Sequence, residues 1–347
     1  MKRYKGLLLS FLIVATIFVG CSSCSNRNEE KANIPEVEEE QVPDHKYTNP
    51  VASYSLPDPT VIQGEDGYFY LYATEDIPLL PILKSRDLVE WELIGTAFDE
   101  KSRPSWEPNA GIWAPDINFV GGQYVMYYSM SVWGGEWTCG IGVATADKPE
   151  GPFTDHGKLF RSNEIGVQNS IDPCLVTHEG KNYLFWGSFR GINYIELTED
   201  GLELAPGAEP TPVAGTAYEA VYIHEREGDY YMFASIGTCC EGANSTYTTV
   251  VGRAESPFGP YVDKAGQPML ENHHEVVLHK SNKFVGTGHN SRLITDKNGE
   301  DWMLYHAFDV EDPSGRLLFM DKIVWDDEGW PTVKGLQPSE TSDRPLF

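Results

Sequence analysis

The chain is poor in positive charge. Lys and Arg number 26 against 52 Asp and Glu, a formal net charge of -26, and that field repels phosphate backbones and anionic lipid head groups. Nucleic acid is therefore not an expected partner, and a polyanionic polysaccharide is disfavoured. A neutral small molecule or neutral polysaccharide remains, alongside the plainer reading that the charge only keeps the protein soluble. Cysteine is scarce as well. Of six, Cys21 and Cys24 belong to the leader region, and Cys139, Cys174, Cys239 and Cys240 show no spacing of a zinc site. Cys239 and Cys240 would point to opposite faces on a strand, so a disulfide from one of them to Cys139 or Cys174 stays open, with no pairing fixed. Long amphipathic helices at a 3.6-residue period are missing, which argues against an α/β fold.

No apolar run is long enough to span a bilayer comfortably. The stretch Leu7 to Val19 follows the basic residues Lys2, Arg3 and Lys5 and ends at Gly20-Cys21, the pattern of a lipoprotein leader. Residues 1–21 read as that leader, with Cys21 the lipidated first residue of an exported protein at the outer membrane. Phe18 stands where Leu is usual, so plain signal cleavage is the alternative. Residues 22–46, with Glu36, Glu38, Glu39 and Glu40, read as an acidic flexible tether, and 47–347 as one domain. Contact with the membrane is expected only through the lipid, and the domain is expected to be a monomer.

What the chain has is repetition. A polar or acidic residue opens a short apolar strand, a turn follows, then an aromatic strand. The copies begin at Asp58 (DPTVIQGEDGYFYLYAT), Asp116 (DINFVGGQYVMYYSM), Asp172 (DPCLVTHEGKNYLFWGS), Glu219 (EAVYIHEREGDYYMFAS) and Asn290 (NSRLITDKNGEDWMLYHA). More polar strand pairs follow them, and the turns KPEGPF and SPFGPY recur at matching places. This predicts an all-β, five-bladed propeller with four-stranded antiparallel blades. The long interval after Glu219 predicts an extended loop around 266–284. Trp186, Trp302 and Trp325 fall in strand interiors and read as core.

Four of the five copies open with a carboxylate. If the opening strands are innermost, those acids gather at one axis, where paired carboxyls could hydrolyse a glycosidic bond: one protonates the leaving oxygen and the other attacks or activates water. Repeat logic nominates Asp58, Asp116, Asp172 and Glu219 equally, against the plainer role of an acid that accepts strand-end amides.

The segments SLPDPTVI, GIWAPDI, NSIDPCL, YEAVYI, the run from Cys239 to Gly266, GTGHNS and LYHAFD occur in order over about residues 50–335. In them the chain resembles the family 43 glycoside hydrolases, and within that family the endo-α-1,5-L-arabinanases. The resemblance implies an inverting hydrolase with arabinan and arabino-oligosaccharides as substrates. Asp58 would be the general base, Glu219 the general acid, and Asp172 the residue that keeps Glu219 protonated. It implies that His289 lines the central channel beside a calcium ion, and that Asp116 has a structural role. Trp113, Trp133 and Phe189, with neighbouring Asn169 and Ser188, are the candidate sugar-binding residues, because sugars stack their apolar faces on aromatic rings within a polar rim. Glu241, and Gly237 and Thr238 before Cys239, depart from the related pattern. An exo-acting α-L-arabinofuranosidase or β-xylosidase of the same family, and a carbohydrate-binding propeller without catalysis, are the competing expectations.

Overall fold

A computed structural model describes residues 45–347. The expectations for the leader, Cys21 and most of the tether lie outside the described residues. Five antiparallel sheets form the blades. Blade 1 runs Thr60–Gln63, Phe69–Tyr72, Pro81–Ser85, Glu92–Thr96, and blade 2 Gly111–Val120, Gln123–Ser131, Gly140–Ala146, Thr154–Arg161. Blade 3 is Cys174–His178, Lys181–Trp186, Ile192–Glu196, Thr211–Ala214, and blade 4 is Glu219–Arg226, Asp229–Ile236, Thr248–Ala254, Glu275–Leu278.

Blade 5 closes the ring, which the repeats did not reveal. Its strands Phe284–Gly288, Asp301–Asp309 and Leu317–Trp325 are completed by Ala52–Ser55 from the beginning of the domain. Ala52 pairs with Leu318 and Ser55 with Leu317. A further strand, Lys46–Thr48, pairs with Thr341–Asp343, so both ends of the domain are tied together.

Alternate residues of a strand face opposite sides, and each blade lies between two others, so both of its faces are apolar. In blade 1, Tyr70 and Tyr72 pack toward Ile117, Met126 and Tyr128 of blade 2. Their neighbours Phe69 and Leu71 pack the other way, toward Trp302, Leu304 and Met320 of blade 5. Three more clusters fill the remaining gaps between blades. Trp186 and Trp302 are buried, whereas Trp325 is half-buried on Tyr231, with its indole N–H donated to Asp301.

Two expectations need correcting. The segment 266–284 is not one loop: it holds a 3₁₀ turn, Met269–Glu271, and the outer strand of blade 4, Glu275–Leu278. The fifth inner strand starts at Phe284, before Asn290, and breaks at His289 before the short strand Ile294–Thr295.

Candidate active site

In or beside each inner strand one residue twists the backbone into the left-handed region. Asp58, Ala114, Asp172, Ala220 and His289, one per blade, have φ of 54, 41, 61, 57 and 47°. Non-glycine residues hold such angles at a cost of about 1 to 3 kcal/mol each, and such strain concentrates at functional sites. The twist turns the opening side chains of Asp58, Asp172, Glu219 and His289 into one cavity of about 430 Å³.

Asp58 is ringed by cations. Arg316 Nη1 lies 3.1 Å from its Oδ1 and 3.4 Å from Oδ2, and His289 Nδ1 is 3.3 Å from Oδ1. Thr74 donates its hydroxyl to Oδ2 at 2.6 Å. Burial pushes the Asp58 carboxyl up, but Arg316 and then His289 outweigh it and hold the group well below the usual carboxylate range. Arg316 arrives from blade 5 because the closing strand grips it: Ser55 Oγ accepts the Arg316 N–H, and Leu56 N–H donates to the Arg316 carbonyl.

His306, within the LYHAFD motif, is fully buried and stacks on Tyr247 with ring centroids 5.7 Å apart. Its Nδ1 accepts the Asp58 backbone N–H at 3.1 Å, so the ring proton sits on Nε2, a buried atom with no partner. Burial and then Arg316 keep this histidine neutral.

The other two acids sit in the opposite electrostatic state. Asp172 Oδ2 accepts the Ala220 N–H at 3.1 Å, and the Asp172 N–H is held by Ser129 Oγ at 3.0 Å. Burial raises Asp172 to about 7, with His289 opposing and the charges of Glu219 and Asp58 adding. Burial also raises Glu219, although Ser188 and Tyr247 oppose it by hydrogen bonding. Ser188 Oγ donates to Glu219 Oε2 at 2.6 Å, and Asn169 Nδ2 holds Ser188 Oγ at 2.9 Å. Asn169 and Ser188, expected at the sugar, thus also form a chain that orients Glu219. His289 loses basicity through burial, but Asp58, Asp172 and Glu219 together raise it above an ordinary histidine.

Asp116 stands apart from this group. Its Oδ2 accepts the Leu175 N–H and the Asn118 amide, both at 2.7 Å, and Arg292 lies 3.7 Å from Oδ1. It therefore ties blade 2 to blade 3. Among the described residues, no three His, Cys, Asp or Glu side chains form a cluster able to hold a metal.

A second cavity of about 320 Å³ adjoins the first and is lined by Asn169, Ser188, Phe189, Glu136 and Glu241. Glu219, Trp113 and Trp133 border both. The Trp113 and Trp133 rings meet edge to face at 5.8 Å, and Trp133 is 78% exposed at the rim. Glu136 holds Arg190 through two contacts of 3.0 and 2.9 Å and accepts from Gln168 at 2.6 Å, which stiffens the far wall.

The cysteine expectation fails. Cys239 and Cys240 are bonded to each other in a bend after the strand Asp229–Ile236, while Cys139 and Cys174 are free and buried. Both disulfide residues border both cavities. Arg316, Thr74, Tyr247 and His306 were missed as site residues because they lie outside the openings of the repeats.

The family model described as "Glycosyl hydrolases family 43" matches residues 47–331. The extracellular exo-alpha-(1->5)-L-arabinofuranosidase ArbA of Cellvibrio japonicus is 33% identical over 305 residues, covering 79% of this chain and 85% of that protein. The extracellular endo-alpha-(1->5)-L-arabinanase 1 of Bacillus subtilis is 32% identical over 289 residues, covering 80% and 87%. The structure of a Cellvibrio cellulosa alpha-L-arabinanase complexed with arabinohexaose superposes with a TM-score of 0.72 at 30% identity, covering 81% of this chain and 95% of that one.

Proposed function

From the premise that this chain belongs to glycosyl hydrolase family 43, we propose that it cleaves internal α-1,5-L-arabinofuranosidic bonds of arabinan by a single inverting displacement. The observation that carries the reading is the split among three clustered acids, with Asp58 held ionised and Asp172 and Glu219 held toward the protonated form, where two cavities meet. Asp58 takes a proton from water as the water oxygen bonds to the anomeric carbon. The bond from that carbon to the leaving oxygen breaks, and Glu219 gives that oxygen its proton. Asp172 and Glu219 titrate as a coupled pair, so a negative charge taken up by Asp172 makes the loss of the Glu219 proton harder near neutral pH. An inverting pair stands roughly 6.5 to 9.5 Å apart to admit the water.

Space on both sides of Glu219 supports endo action, since a chain held on both sides of the bond is cut internally. Trp113, Trp133 and Phe189 would stack the sugar rings. The relatives named above act on, or are complexed with, arabinose chains according to their names, which supports arabinan as the substrate class. Digesting linear arabinan and resolving the earliest products tests this. Mixed oligosaccharides support the reading, arabinose alone supports exo action, and binding without cleavage supports a lectin-like propeller.

Calcium enters the proposal with a limited role. Such an ion prefers oxygen ligands; His289 lines the cavity, and the residue after it, Asn290, has a buried Oδ1 with no hydrogen-bond partner. They fit an ion that takes most of its ligands from water; His289 would hold it in its neutral form, and the ion would supply the positive charge in place of the ring proton that the three acids now favour. The leader motif supports export and lipidation at Cys21 in the outer membrane.

A further inference from the structure

The Cys239–Cys240 disulfide does little for stability. It links neighbours in sequence, so it closes almost no loop and removes almost no chain entropy from the unfolded state. Its position is the informative part. Among the described residues, only Trp113, Trp133, Ile171 and the two disulfide residues border both cavities besides Glu219. All five are apolar, and they surround the point at which Glu219 would protonate the leaving oxygen.

The loop that carries the disulfide is firmly held. Thr238 and Thr246 exchange bonds through both backbone and hydroxyl, and the Glu241 N–H donates to Ser245 Oγ at 2.9 Å. The chain then enters Tyr247, whose hydroxyl faces Glu219. Two side chains bonded to each other have little rotamer freedom left to lose when a ligand binds. Their sulfurs are large, polarizable and uncharged, so they suit van der Waals contact with the apolar face of a sugar.

We infer that the Cys239–Cys240 disulfide is a substrate-contacting platform at the cleavage point, packing against the arabinofuranose rings that flank the scissile bond. The inference rests on the function proposed above. It assigns to the disulfide the role that a third aromatic ring would otherwise fill, opposite or beside Trp113 and Trp133.

The test compares the wild type with a Cys239→Ala/Cys240→Ala variant on linear arabinan. KM should rise about tenfold while kcat stays within about threefold. Reducing the folded wild type with a water-soluble phosphine, with two newly labelled thiols counted by mass spectrometry, should raise KM in the same way; this arm also serves if the variant fails to fold. An unchanged KM, or a fall in kcat alone, overturns the platform. If the wild type itself leaves arabinan intact, the proposed function falls and the platform falls with it, which is a different result from active wild type matched by its variant.

Discussion

Replacing Asp172 with Asn should make the protein more stable at alkaline pH while crippling it. A carboxyl whose pKa is higher in the folded chain than in the unfolded one gains protons on folding. Stability therefore falls as pH rises between the two values, here from about 4 to about 7 for Asp172. About 3 pH units at ~1.4 kcal/mol per unit set an upper bound of about 4 kcal/mol for the burden at pH 8. Asp172 and Glu219 titrate as a pair, so removing one carboxyl also eases ionisation of the other, and about 2 kcal/mol is the expected measured size. The Asn side chain keeps an oxygen for the Ala220 N–H, so no buried amide is orphaned. In thermal unfolding, Asp172→Asn should melt about 4 to 8 °C above wild type at pH 8 and level with it near pH 4, with turnover lower by at least about a hundredfold. A variant that melts below wild type at pH 8, or a difference independent of pH, would refute the idea that a buried, proton-hungry acid strains this site.

Asp58→Asn and Glu219→Gln should each lower kcat on arabinan by about 10² to 10⁴ without lowering the melting temperature much; near wild-type turnover in either removes that residue from its role. Arg316→Met takes away the strongest of the cationic neighbours that lower Asp58, so the acid limb of the kcat/KM profile should move to higher pH, and an unmoved limb would show that Arg316 does not set the state of the base. His289→Ala, or a strong chelator on the wild type, should reduce activity. Indifference to both would retire the calcium proposal and the electrostatic role of this histidine together.

The five repeat openings and the apolar and aromatic runs that follow them made the blades legible, because each blade buries both faces and so its strands read as near-continuous apolar runs. Closure was not legible. The strand Ala52–Ser55 is short, partly polar and joined to blade 5 across nearly the whole chain, and only ring geometry demands it. Asp58, Asp172 and Glu219 stood out as strand openers, but Asp116 opens its repeat in the same manner and instead accepts the Leu175 amide. Local pattern alone did not separate it from the others. Thr74 reaches Asp58 from the far end of the same repeat and Arg316 from blade 5, and Cys239 meets its neighbour in a bend instead of a more distant cysteine. Such contacts depend on how the backbone turns, which spacing does not encode.

The most direct measurement follows the anomeric configuration of the first reducing sugar released from linear arabinan, by proton NMR before mutarotation. Displacement by a water activated at Asp58, with Glu219 as the proton donor, predicts that the β-anomer appears first. Initial release of the α-anomer would mean retention through a covalent intermediate, and would contradict the assignment of Asp58 as a base acting on water.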